Sequence, residues 1–137
     1  MLSIAAWVDP AGVANVRPPV RLDAAEPSWP VTAADAVLGI NLVHIAPWPA
    51  TVGLVGGAAG VLPDGAPLYL YGAFRRSGVH TSPSNEAFDR SLRASDSAWG
   101  VRDLEAVAAL ARAAGFSEPF VTAMPANNLN VVFRRVR

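Results

Sequence analysis

The sequence predicts an α/β fold: a mainly parallel sheet covered by helices and closed by a C-terminal antiparallel hairpin. Three observations carry this. Asp35 to Ile45 (DAVLGINLVHI) and Pro67 to Phe74 (PLYLYGAF) are near-continuous apolar runs, the pattern of parallel strands buried on both faces. Apolar residues recur at helical spacing between and after them, most clearly over Leu104 to Ala114. Phe120 to Met124 and Asn130 to Arg135 are strand-like runs joined by the short link Pro125-Ala126-Asn127-Asn128. Helices alternating with strands argue for helices on both faces of the sheet.

Taken in order, Ser3 to Val8 (SIAAWV) reads as the last turns of a helix, stopped by Asp9-Pro10 and Ala11-Gly12. Val16 to Leu22 has strand-like ends, but Pro18 and Pro19 confine it to an edge, ending at Asp23. Residues 24–34 form a proline-bearing loop with Trp29. After the 35–45 strand, Pro47, Trp48 and Pro49 turn the chain into a helix from Ala50 to Leu62. Gly53, Gly56, Gly57 and Gly60 each weaken that helix by roughly 1 kcal/mol, so close packing against the sheet is the expected compensation. Pro63-Asp64-Gly65 is a turn into the 67–74 strand.

Residues 75–100 are polar and longer than an ordinary connection. They read as an inserted lid with a helix over Asn85 to Arg93, where Phe88 and Leu92 share a face. Asp103 is expected to cap the 104–114 helix, which Gly115 ends. The whole chain, 1–137, reads as a single, partial domain.

Composition excludes several chemistries. All eleven basic residues are arginine and there is no cysteine. That removes a phosphate-loop or Schiff-base lysine, thiolate nucleophiles, disulfides and zinc–cysteine sites. The formal net charge of zero gives no electrostatic case for nucleic acid or a membrane surface. The apolar runs are too short to span a bilayer. Met1 is followed by no basic region of a signal peptide, so a cytoplasmic location is expected.

Four stretches, NLVHIAPW, GAPLYLYGAFRRSGVHTSPSNEAFDRSLR, WGVRDLE and MPANNLNVVFRR, together resemble the methyltransferase-like family known as domain of unknown function 938, the type that includes methyltransferase-like protein 26. The resemblance runs from Ser3 to Arg135. Ala46 stands where serine is expected and Gly39 where a larger residue is expected. The resemblance implies the C-terminal two-thirds of a Rossmann-like class I methyltransferase fold using S-adenosylmethionine, with its first two strands missing. Those strands and their helices would amount to roughly 60 residues ahead of Ser3. No GxGxG-type loop follows any strand; Gly56, Gly57 and Gly60 fall inside a helix. The chain is therefore expected to be a fragment.

The same resemblance assigns roles. Asp23 would accept a hydrogen bond from the adenine amine, or simply cap a turn. Asn41 and Leu42 would pass the methionine part of the cofactor, although a buried amide at 41 also serves as a structural hydrogen-bonding group. His44, at the C-terminal end of its strand, lies where open α/β sheets bind ligands. A neutral imidazole there could take a proton or orient substrate; the bland alternative is a half-buried histidine bonded to a loop carbonyl. Trp48 is either a stacking group or a packing plug. Tyr71, Phe74 and Arg75 point to the same rim. Arg75, His80, Ser84 and Asn85 form a polar cluster suited to capping a substrate pocket, with Arg76 read as solvated. Asn127 and Asn128 occupy the last turn, which asparagine also favours on its own account. No metal is expected.

Two functions follow. One is methyl transfer to a small molecule, which needs positioning rather than a catalytic triad. The other is a truncated or degenerate, non-catalytic binding or assembly module, supported by the missing glycine loop. A dehydrogenase is excluded by the lack of both a dinucleotide loop and lysine.

Overall fold

The computed structural model describes residues 2–136. The first helix, α1 (Leu2–Ala11), carries Pro10 in its last turn and gives way to Gly12 at φ +62°. It therefore runs one turn past the stop expected at Asp9-Pro10. Proline in a final turn removes only one ladder bond, and Gly12 takes the left-handed conformation that ends the helix.

Residues 16–22 form no strand, which corrects the edge-strand expectation. Two adjacent prolines remove two ladder donors from a seven-residue stretch. The strand expected over 35–45 is also shorter: β1 is Val37–Ile40, and the chain turns immediately at Asn41, where φ is +53°. The helix α2 (Trp48–Val61) opens on proline as expected. Two of its glycines, Gly53 and Gly57, however, meet the 24–29 loop rather than the sheet. A Cβ on Gly53 would sit 1.9 Å from the Ala24 carbonyl oxygen, and one on Gly57 would sit 2.1 Å from the Trp29 ring.

The remaining elements are β2 (Pro67–Gly72), β3 (Phe74–Arg76), β4 (Val79–His80), α3 (Pro83–Ser95), β5 (Arg102–Asp103), α4 (Leu104–Ala113), β6 (Phe120–Met124) and β7 (Asn128–Arg134). They build a four-stranded sheet of order β1-β2-β7-β6 and a three-stranded sheet of order β4-β3-β5. In the larger sheet β1 and β2 are parallel, while β7 runs antiparallel to both β2 and β6. β1, β2 and β6 thus run in one direction and β7 alone against them; the C-terminal hairpin is present, but β7 lies inside the sheet rather than at the expected edge. An apolar run reports burial, not pairing direction, and β7 folds back through a tight turn to enter between β6 and β2.

The core lies on one face of this sheet. Leu54, Val55 and Ala58 of α2 and Val107 and Ala111 of α4 pack on Leu68, Leu70, Val131 and Phe133. The opposite face is open. Register aligns Leu38, Tyr69, Val132 and Phe120 across all four strands, and Leu38 and Ile40 are 61% and 57% exposed. β1 is thus buried on one face only, and its outer edge has no neighbouring strand among the described residues. A smaller cluster of Ala73, Leu92 and Val101, with Trp99 against it, holds the segment between β2 and β5 to the body. Among the described residues, no helix is long and apolar enough to cross a membrane.

Candidate functional site

The site begins where β1 ends. Asn41 adopts a left-handed conformation and donates its backbone N–H to the Tyr71 carbonyl at 2.8 Å, extending the β1–β2 pairing while reversing the chain. Residues 42–46 then cross the C-terminal ends of β1 and β2. This turn buries His44 to 2% exposure, off the strand itself. Its carbonyl accepts from the Gly100 N–H at 3.1 Å. Its ring meets Phe88 of α3 edge-to-face, centroids 5.3 Å apart. On the other side the ring lies against the last residue of β2, where a Cβ on Gly72 would be 2.9 Å from Cε1 and 3.0 Å from Nδ1. Burial pushes the imidazole pKa below its ordinary 6.5, because a charged ring would lose its hydration. Among the described residues neither ring nitrogen takes part in a hydrogen bond.

The roof comes from α3 and the turn between β6 and β7. Ser82 caps α3, accepting from the Asn85 N–H at 3.1 Å. The Asn85 side chain is buried and spends its amide donors on Thr81 Oγ1 at 3.2 Å and the Asn127 carbonyl at 3.0 Å. Asn127 answers with Nδ2 to Ser84 Oγ at 3.2 Å. Asn128 Nδ2 donates to the Tyr71 hydroxyl at 3.1 Å. The turn is itself strained: Ala126 and Asn127 both have φ near +60°, a conformation costly for residues with a Cβ. Asn41, Ala126 and Asn127 all border the same cavity and are three of the four non-glycine residues with positive φ among those described. Strain of this kind concentrates at binding sites.

These residues border an open cavity of about 470 Å³. Asn41, His44 and Ile45 form one wall and Ala73 the floor; Ser84, Asn85 and Phe88 descend from α3, and Ala126 to Asn128 close the far side. No carboxylate or arginine lines it.

Several expected site residues lie elsewhere, each for a definite reason. Arg75 is ion-paired with Asp103, Nε to Oδ1 at 3.0 Å, and this same pair draws the Asp103 side chain away from capping α4. His80 stands 3.4 Å from Asp89, a buried carboxylate that also accepts from Val101 N–H at 2.8 Å and Arg93 Nε at 3.1 Å. Burial pushes the Asp89 pKa up, but those donors outweigh it and hold the carboxyl below its ordinary value. Trp48 packs against the core with the Arg102 guanidinium 5.8 Å above its ring, while that arginine donates to the Ala46 and Ala98 carbonyls. Trp48 is a packing plug. Tyr71 contributes through its hydroxyl, behind Asn128, rather than as a lining group. Asn41 is exposed rather than buried in an apolar run. Among the described residues no group of three His, Asp or Glu could hold a metal ion.

Asp23 and Leu42 belong to a second cavity of about 610 Å³ on the other side of the β1 end, walled also by Trp29, Val37 and Leu38. Asp23 is exposed and accepts from the Ala25 N–H at 2.9 Å, as a turn cap does. The cavity thus combines an apolar wall, one aromatic ring, the Asp23 carboxylate and Arg21. Consecutive residues Asn41 and Leu42 therefore face different cavities.

A model of the family described as protein of unknown function (DUF938) matches residues 1–135. The chain belongs to that family. Its fold is also similar to solved methyltransferases. The S-adenosylmethionine-dependent methyltransferase SibL, in its apo form, aligns over 99% of this chain and 41% of its own, with TM-score 0.75 and 21% identity. Human N-acetylserotonin methyltransferase in complex with SAM aligns over 86% and 33%, with TM-score 0.70 and 13% identity. An O-methyltransferase family 2 protein from Planctomyces limnophilus in complex with apigenin aligns over 78% and 32%, with TM-score 0.69 and 22% identity. These likenesses show a methyltransferase-like fold for this DUF938 chain, which spans a third to two-fifths of the length of those proteins.

Sequence reasoning missed Gly72, Ile45, Ala73 and Phe88 as parts of the site. Gly72 carried the one available signal: a residue with no side chain ends a strand of large ones, at a φ that does not require glycine.

Proposed function

We propose that this chain is the acceptor-binding part of an S-adenosylmethionine-dependent methyltransferase acting on a small molecule. The observation that carries the reading is His44, buried, its pKa pushed down by that burial, and bordering a cavity at the C-terminal ends of two parallel strands. Such strand ends are where α/β sheets bind ligands. The solved methyltransferases bound to SAM and to apigenin support the donor and the size of the acceptor.

S-adenosylmethionine, when bound, supplies an electrophilic methyl group. The residues of this chain would do the rest. Nδ1 and Cε1 of His44 lie against Gly72, and Nε2 would be the nitrogen to accept the proton of the acceptor group. Asn41 would stand where donor and acceptor meet, between the two cavities. Asp23 and Leu42, with Trp29, would hold the adenine. Asn85 and Asn127 would fix the roof over the acceptor.

The 137 residues contain no glycine-rich turn for the methionine and ribose, so cofactor binding by this chain alone would be impaired. Calorimetric titration with S-adenosylmethionine tests this; the expected outcome is no saturation below millimolar concentration. Saturable micromolar binding would overturn the impairment. A second reading, a non-catalytic assembly module in the cytoplasm, is favoured by the bare β1 edge and the exposed Leu38 and Ile40. It requires that removing the imidazole by His44→Gln leave small-molecule binding in the α3 cavity and the chain's associations unchanged.

A further inference from the structure

Resting on the acceptor-site reading of the cavity beneath α3, we infer that Asp89 is a positioning residue for His44, acting through the backbone of Gly100 and Val101.

The residues that α3 buries are Asn85, Asp89 and Leu92, and two of the three are polar. A helix docked for stability alone would offer an apolar stripe there. A buried carboxylate is costly unless it is paired and hydrogen-bonded. Asn85 has its place in the roof of the cavity. Asp89, one turn further along, does not border the cavity. Its carboxylate ties three segments together instead. Oδ1 accepts from the Val101 N–H at 2.8 Å and from Arg93 Nε at 3.1 Å, and Oδ2 lies 3.4 Å from His80 Nε2 of β4.

The bond from Val101 is the one that leads to the site. Val101 is fully buried, so its N–H has no water to turn to if the carboxylate is removed. The preceding N–H, that of Gly100, donates to the His44 carbonyl at 3.1 Å. Two successive backbone donors thus join the α3 carboxylate to the histidine. Glycine is required between them. The φ of Gly100 is +157°, and an added Cβ would stand 3.0 Å from Asp89 Oδ1 and 3.2 Å from Arg93 Nε. Only a residue without a side chain brings the backbone this close to the ion pair.

The imidazole is placed by packing, against Gly72 on one side and edge-to-face with Phe88 on the other. Phe88 immediately precedes Asp89. One turn of α3 therefore supplies both the ring that closes on His44 and the carboxylate that fixes its backbone through residues 100 and 101. Withdrawing Asp89 frees the carbonyl end of His44 and lets the imidazole leave its seat.

The test needs neither cofactor nor acceptor, so it succeeds or fails apart from the acceptor-site reading, which the S-adenosylmethionine titration addresses. The readouts are the carbon-bound proton NMR signals of the His44 ring, assigned by their loss in His44→Gln, and hydrogen exchange at the Gly100 amide. In Asp89→Leu the His44 signals are expected to leave the position set by the Phe88 ring and approach those of a solvated histidine. Exchange at Gly100 is expected to accelerate at least about tenfold, the effect of one lost buried hydrogen bond. Asp89→Asn keeps an oxygen for the Val101 N–H and is expected to hold both readouts near their natural values. Arg93→Gln removes a half-exposed partner of Asp89 that leads away from His44, and is expected to lower the denaturation midpoint without moving the His44 signals. The inference is overturned if both readouts stay unmoved in Asp89→Leu, if Asp89→Asn behaves like Asp89→Leu, or if Arg93→Gln moves His44 as far. Where Asp89→Leu does not fold, Gly100→Ala takes its place, because the added Cβ must part the loop from the carboxylate. A stationary His44 in that variant overturns the inference equally.

Discussion

Gly72 and His44 fit together as seat and occupant: a single carbon added to Gly72 would stand 2.9 Å from the imidazole Cε1 and 3.0 Å from Nδ1. Gly72 pairs with Leu129 at the end of β2 in ordinary extended conformation, so backbone freedom is not why glycine is there. The space it leaves is what the imidazole occupies. Phe88 closes on the ring from the other side. Gly72→Ala is therefore expected to push the ring toward solvent and to destabilise the fold by about 1–3 kcal/mol, the usual cost of overpacking. A chemical-denaturation curve measures the second effect. Imidazole NMR measures the first, as a His44 pKa that returns toward 6.5. An unchanged titration would show that the seat does not hold the ring.

The pH dependence of stability follows from the same burial. His44 has a folded-state pKa depressed below 6.5, so between the two values the unfolded chain binds more protons than the folded one. Stability is then fully present above about 6.5 and declines as pH falls from there through the folded pKa. Denaturation midpoints collected from pH 7.5 to 5 are expected to fall in the natural chain. In His44→Gln, which has no proton to take up, the fall over that interval should largely disappear. Asp89, also depressed, acts in a separate window below its ordinary 3.8, so the two do not overlap.

How much of this was legible in the sequence depends on the range of the interaction. α4 and the β6–β7 hairpin follow from local periodicity and turn residues, and both formed within a few residues of their expected limits. His44 was expected within its strand and lies instead in the turn that follows, bordering a cavity. The placements that differed were set by distant partners. Arg75 looked like a substrate-binding cation because Asp103, 28 residues away, was not visible as its neighbour. His80 looked available because the sequence does not show Asp89 turned back toward it beneath Val101. The place of β7 was hidden likewise: it reaches β2 from 61 residues away in sequence, and nothing in PLYLYG records that a C-terminal strand will pair beside it.

The roof of the cavity depends on Asn127, which both accepts from Asn85 and donates to Ser84 while holding a left-handed conformation. Two substitutions separate these contributions. Asn127→Gly keeps the backbone conformation and the carbonyl acceptor but loses the bond to Ser84. Asn127→Ala loses that bond and adds a left-handed penalty of about 1 kcal/mol. Hydrogen exchange at the first turn of α3 should accelerate modestly in the glycine variant and several-fold more in the alanine variant. Equal rates in the two would show that strain at 127 has no part in closing the roof.

The four glycines of α2 divide into two pairs by what lies opposite them. Gly56 and Gly60 have nothing within 4 Å of an added Cβ, whereas Gly53 and Gly57 are pressed by the Ala24 backbone and the Trp29 ring. In a helix interior, replacing an unobstructed glycine by alanine is stabilising by roughly 0.5–1 kcal/mol, because the unfolded chain loses freedom and the helix gains propensity. Gly56→Ala and Gly60→Ala should therefore each raise the denaturation midpoint. Gly57→Ala cannot be accommodated without lifting Trp29, and Gly53→Ala must displace the backbone at Ala24. Both are expected to lower the midpoint, and Gly57→Ala should also shift tryptophan fluorescence to the red as the indole meets water. The consequence reaches the second cavity, since Trp29, Ala24 and Asp23 all wall it. A chain in which all four substitutions stabilise would show that the 24–29 loop does not rest on α2, and that the cavity beside Leu42 has no fixed wall.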